Sequence, residues 1–345
     1  MLITLDEYKE KLAGFYVYDC VVRDKDKFVF IADSWYTDAQ VEKEEKNNWD
    51  PAFRPKRVLP FFRDKVEGNR LVFSGLNQWS HTHGGAATKP LNQFIAVELE
   101  NDKVFVTGSG EVYEDAPLNS SMPNNPLRGG IRRLKTIDGY AYVCGGSRSF
   151  GKRLGKGQWW SNFNGLVHDK ENYLDEGFND IDGFSETDIY AVGGKGDVWH
   201  FDGDRWQQIA FPTNTYTRTV CCGGDGNVYI SCYEGLTFVG RGQRWKEIRG
   251  AGRIALGFKD TVWHGDRAWC TNDNGIWSIR NASELVYESD LPSEVRVCSG
   301  NMYVNDGVLL VAGMGGAAFL ENGQWQVVFL RGDMESALSK QADAK

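Results

Sequence analysis

In the second half of the chain, apolar residues gather in short runs separated by glycine-rich polar stretches. The segments IYAVGGKGDVWHFDGDRW, VYISCYEGLTFVGRGQRW, AWCTNDNGIWSIRNASEL and LLVAGMGGAAFLENGQW align with one another. Tyr190, Tyr229, Trp269 and Leu310 fall in register at spacings of 39, 40 and 41 residues. A glycine follows each after six residues: Gly196, Gly235, Gly275 and Gly316. A large apolar residue then opens the next run: Trp206, Trp245, Leu285 and Trp325. Three features recurring in order at one period are the signature of a structural repeat.

Each unit reads as four strands. The second run is almost wholly apolar, as expected of a strand covered on both faces. Asp202-Gly203 and Asn322-Gly323 supply the positive φ that tight hairpins require. A four-stranded sheet of this size cannot bury itself alone, and repetition around a ring makes it a propeller blade. Traced backward less regularly, the pattern predicts an all-β chain: a single β-propeller of seven four-stranded blades, with six as the alternative. The expected blades are 14–75, 93–130, 131–173, 177–212, 215–250, 254–291 and 295–330. Residues 1–13 form a leading segment and 331–345 a polar tail, frayed or a short helix. The 93–130 unit has no convincing fourth strand; KVFVTGSGEVYED reads as its second and third.

The unit IYAVGGKGDVWHFDGDRW resembles the blades of bacterial WD40/YVTN/BNR-like propellers. Its Gly-Gly pair and downstream Trp are also similar to kelch blades at shorter spacing. The resemblance covers most of 93–330 and implies a fold, with no catalytic residues. The S-x-D-x-G-x-x-W boxes of propeller sialidases are absent from the sequence, and no blade shows the Trp-Asp ending of WD40 repeats.

Composition narrows the function classes. Aromatic residues make up 13%, with 12 Trp and 40 Gly, a balance suited to many short strands and turns. The net charge of −8 argues against general affinity for nucleic acid or anionic membranes, which needs a basic footprint. No apolar run approaches a membrane span, and the opening MLITLDEYKEKL does not read as a signal peptide. The seven cysteines, mostly inside apolar runs such as YAYVCGG, suit the reducing cytoplasm.

Long segments lie at 33–53, 76–92, 116–130, 146–157 and 169–177. Assigned as connections after second and fourth strands, they would cluster on one face of blades 1–3. Loops on a rigid scaffold carry function, and these contain residue types common at protein interfaces. The expected partner-binding residues are Trp35, Tyr36, Trp49, Trp79, His81, His83, Arg148, Lys152, Arg153 and Tyr173. The expected partner is a protein. One concrete form is a bacterial immunity or inhibitor protein that occludes a toxin or effector, anchored by Arg148, Arg153, Trp35 and Trp79.

The alternatives are an enzyme and a scaffold subunit of a larger complex. A hydrolase or lyase would work at a central channel lined by Arg132, Arg133, Asp180, Arg218 and Arg296, where arginines could hold a carboxylated ligand. No nucleophile motif, phosphate loop or EF-hand is legible, and GGKGDVW joins two strands, so it is a turn. His81-x-His83 could share a metal only if His168, Glu171 or Asp175 joined them; no metal and no cofactor are expected.

Overall fold

The computed structural model describes residues 1–46, 50–118, 124–167, 176–250 and 256–343. Among the described residues, twenty-eight strands form seven four-stranded blades. Blade 1 contains β1 (Phe15–Asp24), β2 (Lys27–Ser34), β3 (Lys56–Phe62) and β4 (Ser74–Leu76); blade 2 contains β5 (Thr82–Ala87), β6 (Gln93–Glu98), β7 (Val104–Gly108) and β8 (Glu111–Asp115). Blade 3 contains β9 (Ile131–Ile137), β10 (Tyr140–Gly145), β11 (Ser149–Gly155) and β12 (Gln158–Trp160); blade 4 contains β13 (Asp180–Ser185), β14 (Asp188–Gly193), β15 (Asp197–Phe201) and β16 (Trp206–Gln208). Blade 5 contains β17 (Thr217–Cys222), β18 (Val228–Cys232), β19 (Thr237–Arg241) and β20 (Arg244–Gly250); blade 6 contains β21 (Asp260–His264), β22 (Arg267–Asn272), β23 (Gly275–Arg280) and β24 (Glu284–Tyr287). Blade 7 contains β25 (Asn301–Asn305), β26 (Val308–Gly313), β27 (Gly316–Glu321) and β28 (Gln324–Leu330). Neighbours in sequence are neighbours in each sheet. One addition breaks the meander: β20 pairs in parallel with β24, Arg249 opposite Glu284, joining blades 5 and 6 into one eight-stranded sheet.

The repeat register holds. Tyr190, Tyr229, Trp269 and Leu310 all lie on second strands, and Trp206, Trp245, Leu285 and Trp325 on fourth strands. At the last hairpin, Asn322 and Gly323 take φ of +51° and +76°, the successive positive values of a type I′ turn. At 202–205 the Asp202 carboxylate instead accepts from the Asp204 and Arg205 amides.

Two expectations are corrected. Blade 2 runs from 82 to 115 and lacks no strand: HTHGGAA supplies its first strand, so KVFVTG is the third and EVYED the fourth. Small residues hide this strand from β propensity. They are required here, because a Cβ on Gly85 would stand 2.7 Å from Cβ of Leu134 on β9. In blade 3, 149–155 is the third strand rather than part of an insertion, and Gln158–Trp160 is the fourth. Asn164-Gly165 lies beyond this blade, so it is not its hairpin.

The described chain falls into two compact units. One holds residues 1–82, 273–275 and 289–345; the other holds 83–272 and 276–288. In the first, β1 packs on β25 and β26. Asn301 Nδ2 donates to the Tyr18 carbonyl (2.6 Å), and Asn305 Nδ2 to those of Val22 and Arg23. Phe28 meets Phe319 edge-on, and Arg63 pairs with Glu321 at 2.7 Å. Helix α1 (Leu5–Lys11) begins in a capping box of Thr4 and Glu7. The tail is a thirteen-residue helix, Arg331–Asp343, docked by a 2.7 Å hydrogen bond from the Tyr8 hydroxyl to Glu335.

In the second unit the cores lie between blades. Val97, Val106, Leu134, Val143 and Trp159 fill the space between blades 2 and 3. Phe150, Phe178, Ile181, Phe201 and Trp206 fill that between blades 3 and 4. Adjacent Trp159 and Trp160 therefore serve different cores, as strand alternation demands. First strands are laced by side chains: Asp180 and Asp182 on β13 accept from the Val220 and Cys222 amides of β17. All seven cysteines are free thiols, and all but Cys222 are buried.

Candidate functional site

The basic run of blade 3 is built inward. Arg148 occupies the turn before β11 at φ +54°, and its guanidinium is buried. Nε and Nη2 each donate to Asp197 at 2.9 Å, a bidentate pair, while Nη1 meets Glu176 at 2.9 Å and the Val167 carbonyl. The cation lies 4.8 Å from the Trp199 ring. Arg153 is 1% exposed and spans to blade 2, donating to Gln93 Oε1 (3.1 Å) and the Tyr113 hydroxyl (2.9 Å), with Asp115 at 3.4 Å. Lys152 pairs with Glu186 and lies 4.6 Å from the Tyr140 ring. Burial draws these three cations into bonds within the chain, so they are not an open basic loop.

The 76–92 segment divides in the same way. Trp79 is 1% exposed, His81 is exposed with its ring 5.2 Å from that of Tyr18, and His83 is half-buried on β5. In the 33–53 segment, helix α2 (Asp38–Glu45) carries a capping box of Thr37 and Gln40. Trp35 stands 44% exposed, edge-on to Tyr16, with the Arg331 guanidinium 4.5 Å from its ring. Tyr36 is half-buried with Arg54 at 5.6 Å. Trp49, Tyr173, His168, Glu171 and Asp175 lie outside the described residues. Among the described residues, no group of three or more His, Cys, Asp or Glu could hold a metal ion.

Four of the five expected channel residues belong to the second unit. Arg133 leaves β9 and pairs with Asp260 of β21 at 2.9 Å, donates to the Lys259 carbonyl at 2.8 Å, and approaches Asp180 at 3.5 Å. Arg132 donates to Asn179 Oδ1 at 2.7 Å, and Arg218 to the Gly257 carbonyl at 3.3 Å. Arg296 lies on a short helix, Ser293–Arg296, preceding β25 rather than on an inner strand. Two residues complete the cluster without having been anticipated: Lys135, 4.0 Å from Asp180, and Asp182. Burial disfavours the Lys135 ammonium, yet Asp180 and Asp182 together hold it charged well above the usual lysine range. Burial pushes the Asp182 carboxyl up to about 6 against the pull of Lys135. Period-two spacing in IRRLKT and DIDG carried the signal: Arg133 and Lys135 share one face of β9, and Asp180 and Asp182 one face of β13. The arrangement locks strands together by charge.

An open stretch lies on blades 4 and 5, where sequence shows only short loops. Lys195, Tyr216, Tyr233 and Leu256 are exposed. The Tyr233 amide donates to the Tyr216 carbonyl at 3.0 Å. An open cavity of about 760 Å³ runs between the Lys195–Gly196 turn and residues 208–214.

No family model matches the chain. It is 32% identical to Immune protein Tsi7 of Pseudomonas aeruginosa over 170 residues, which are 49% of this chain and 55% of that protein. The chain thus spans about half the length of the curated relative it matches. Among solved structures it is similar to the WD40 β-propeller domain of Doa1 (TM-score 0.56, 12% identity, 87% of this chain and 90% of that one). It is also similar to YCF48 bound to D1 peptide (TM-score 0.58, 12% identity, 89% and 91%) and to YCF48 from Cyanidioschyzon merolae (TM-score 0.54, 10% identity, 87% and 94%). No helix among the described residues is long and apolar enough to cross a membrane. The fold is that of an all-β propeller.

Proposed function

We propose that the chain is an immunity protein, a non-enzymatic propeller that binds a toxic effector protein and blocks it by covering its surface. The observation that carries this reading is the 32% identity to Immune protein Tsi7 across 170 residues. The architecture supports it: loops held between packed blades, as in the 83–272 unit, present a preorganised binding surface, which limits the entropy lost on association. Arg148 and Arg153 are buried in internal pairs, which favours other residues as anchors. Of the four anchors named from sequence, Trp35 stands open.

The test takes each protein encoded next to this chain's gene as a candidate effector. Expressed alone it should arrest growth; co-expressed with the chain it should not. The purified pair should form a stoichiometric complex by calorimetry. Unrelieved toxicity together with no complex would overturn the reading. Rescue without a complex would overturn occlusion and point to an enzymatic antidote.

A further inference from the structure

The exposed stretch of blades 4 and 5 has the chemistry of a recognition surface. Tyr216 and Tyr233 are 38% and 46% exposed and adjoin through the hydrogen bond between their backbones. Each ring has a cation near it: Lys195 Nζ at 5.9 Å from Tyr216 and the Arg218 guanidinium at 4.9 Å from Tyr233. Arg218 is further fixed through its bond to the Gly257 carbonyl, which places it beside Leu256, 57% exposed. Lys195 also forms one wall of the 760 Å³ cavity.

The Gly257 carbonyl holds the Arg218 guanidinium in place through one of its donors, and Lys195 adds an exposed positive charge beside Tyr216. A guanidinium presents its five donors in a fixed fork suited to carboxylates. Tyrosines add amphipathic area at small entropic cost because they have few rotatable bonds. On a chain of net charge −8, a local pair of cations flanking exposed rings favours acidic partners by contrast with its surroundings. Glu234, exposed in the turn after Tyr233, carries the opposing charge and favours carboxylates arriving on the Lys195 and Arg218 sides.

We infer that Lys195, Tyr216, Arg218 and Tyr233 form a docking surface for an acidic, extended segment of a protein. This rests on the reading of the chain as a protein-binding immunity factor and names a surface for it.

The probe is a pair of labelled twelve-residue peptide pools, one with Asp or Glu at alternate positions and one with Lys there. The full chain should retain the acidic pool over the basic one. Lys195→Glu with Arg218→Glu should weaken retention at least tenfold, and Tyr233→Ala several-fold, with circular dichroism unchanged. Should Arg218→Glu disturb folding, Lys195→Glu alone serves, because Lys195 is exposed. Lys43→Glu on α2 should change nothing. Preference for the basic pool, no retention of either, or undiminished retention by the charge-reversed chain would overturn the inference. An effector that binds these variants at full strength sinks this surface alone. Acidic peptides that bind as expected, with no effector complex, sink the immunity reading alone.

Discussion

Removing the Arg148 guanidinium tests whether the basic residues of blade 3 act on the fold or on a partner. The side chains of Arg148 and Asp197 are 7% and 5% exposed, and two 2.9 Å bonds join them. In Arg148→Met the hydrocarbon stem is largely preserved, but among the described residues Asp197 keeps only the Trp199 indole N–H at 2.7 Å and the Gly177 amide at 3.3 Å. Glu176 loses its 2.9 Å partner as well. Leaving a buried charge without its partner costs about 3–5 kcal/mol. Urea unfolding followed by tryptophan fluorescence should show that loss. Asp197→Leu alone should cost a similar amount. The double variant should be less destabilised than the sum by about 2 kcal/mol, since neither charge is then stranded. A loss below about 1 kcal/mol in Arg148→Met, or strict additivity, would refute this account. Weakened effector binding after charge reversal at Arg148 would then report damage to this corner rather than a lost contact.

Gly85→Val should destabilise the chain by roughly 1–3 kcal/mol through overpacking against Leu134, measured by the same unfolding assay; a neutral effect would remove β5 from its place beside β9. Asp102 has its carboxyl pushed up to about 6 by burial and by the nearby Glu98 carboxylate. The folded state therefore binds a proton more tightly than the unfolded one, and stability falls as pH rises from about 4 to about 6. Asp102→Asn should flatten that fall and gain on the order of 1 kcal/mol at pH 7, a figure reduced because the group is partly solvated; an unchanged pH profile would contradict it. Burial pushes the Cys232, Cys270 and Cys298 thiols up to about 12, so Ellman's reagent should label them in the native chain only as slowly as it unfolds. Prompt release of three or more equivalents would show open thiols.

The parts of the fold legible in sequence are those where local chemistry and packing agree. Tyr190 and Tyr229 lie in apolar runs flanked by turn residues, so their strands stand out. The HTHGGAA strand does not, because close approach to Leu134 selects residues of low β propensity. The Ser149–Gly155 strand was hidden by its charges: Arg153 reads as surface until Gln93, Tyr113 and Asp115, at least 38 residues away, are seen to surround it. The same blindness affected the candidate sites. A sequence shows which residues could grip a partner, but not which are already gripped within the chain. Arg148 reads as exposed in sequence for that reason, whereas it is buried against Asp197. Tyr216 and Tyr233 went unnoticed because short loops bring them together from separate segments.

The lacing of β1 to β25 has a bearing on how the chain reaches its final state. Asn301 grips the Tyr18 carbonyl across 283 positions of sequence. A contact of such separation requires a very large loop to close, and its entropic cost must be met before the contact gives anything back. The cores between successive blades from 2 to 6 can form in order as the polypeptide is made, with the Arg133 bonds to Lys259 and Asp260 following once blade 6 is present. The inner strand of blade 1 must wait, with one side open, until 301–330 has been synthesised. Sealing by Asn301 and Asn305 is thus the expected late, slow step of folding, and the interval before it is when this strand is most exposed to pairing with another molecule.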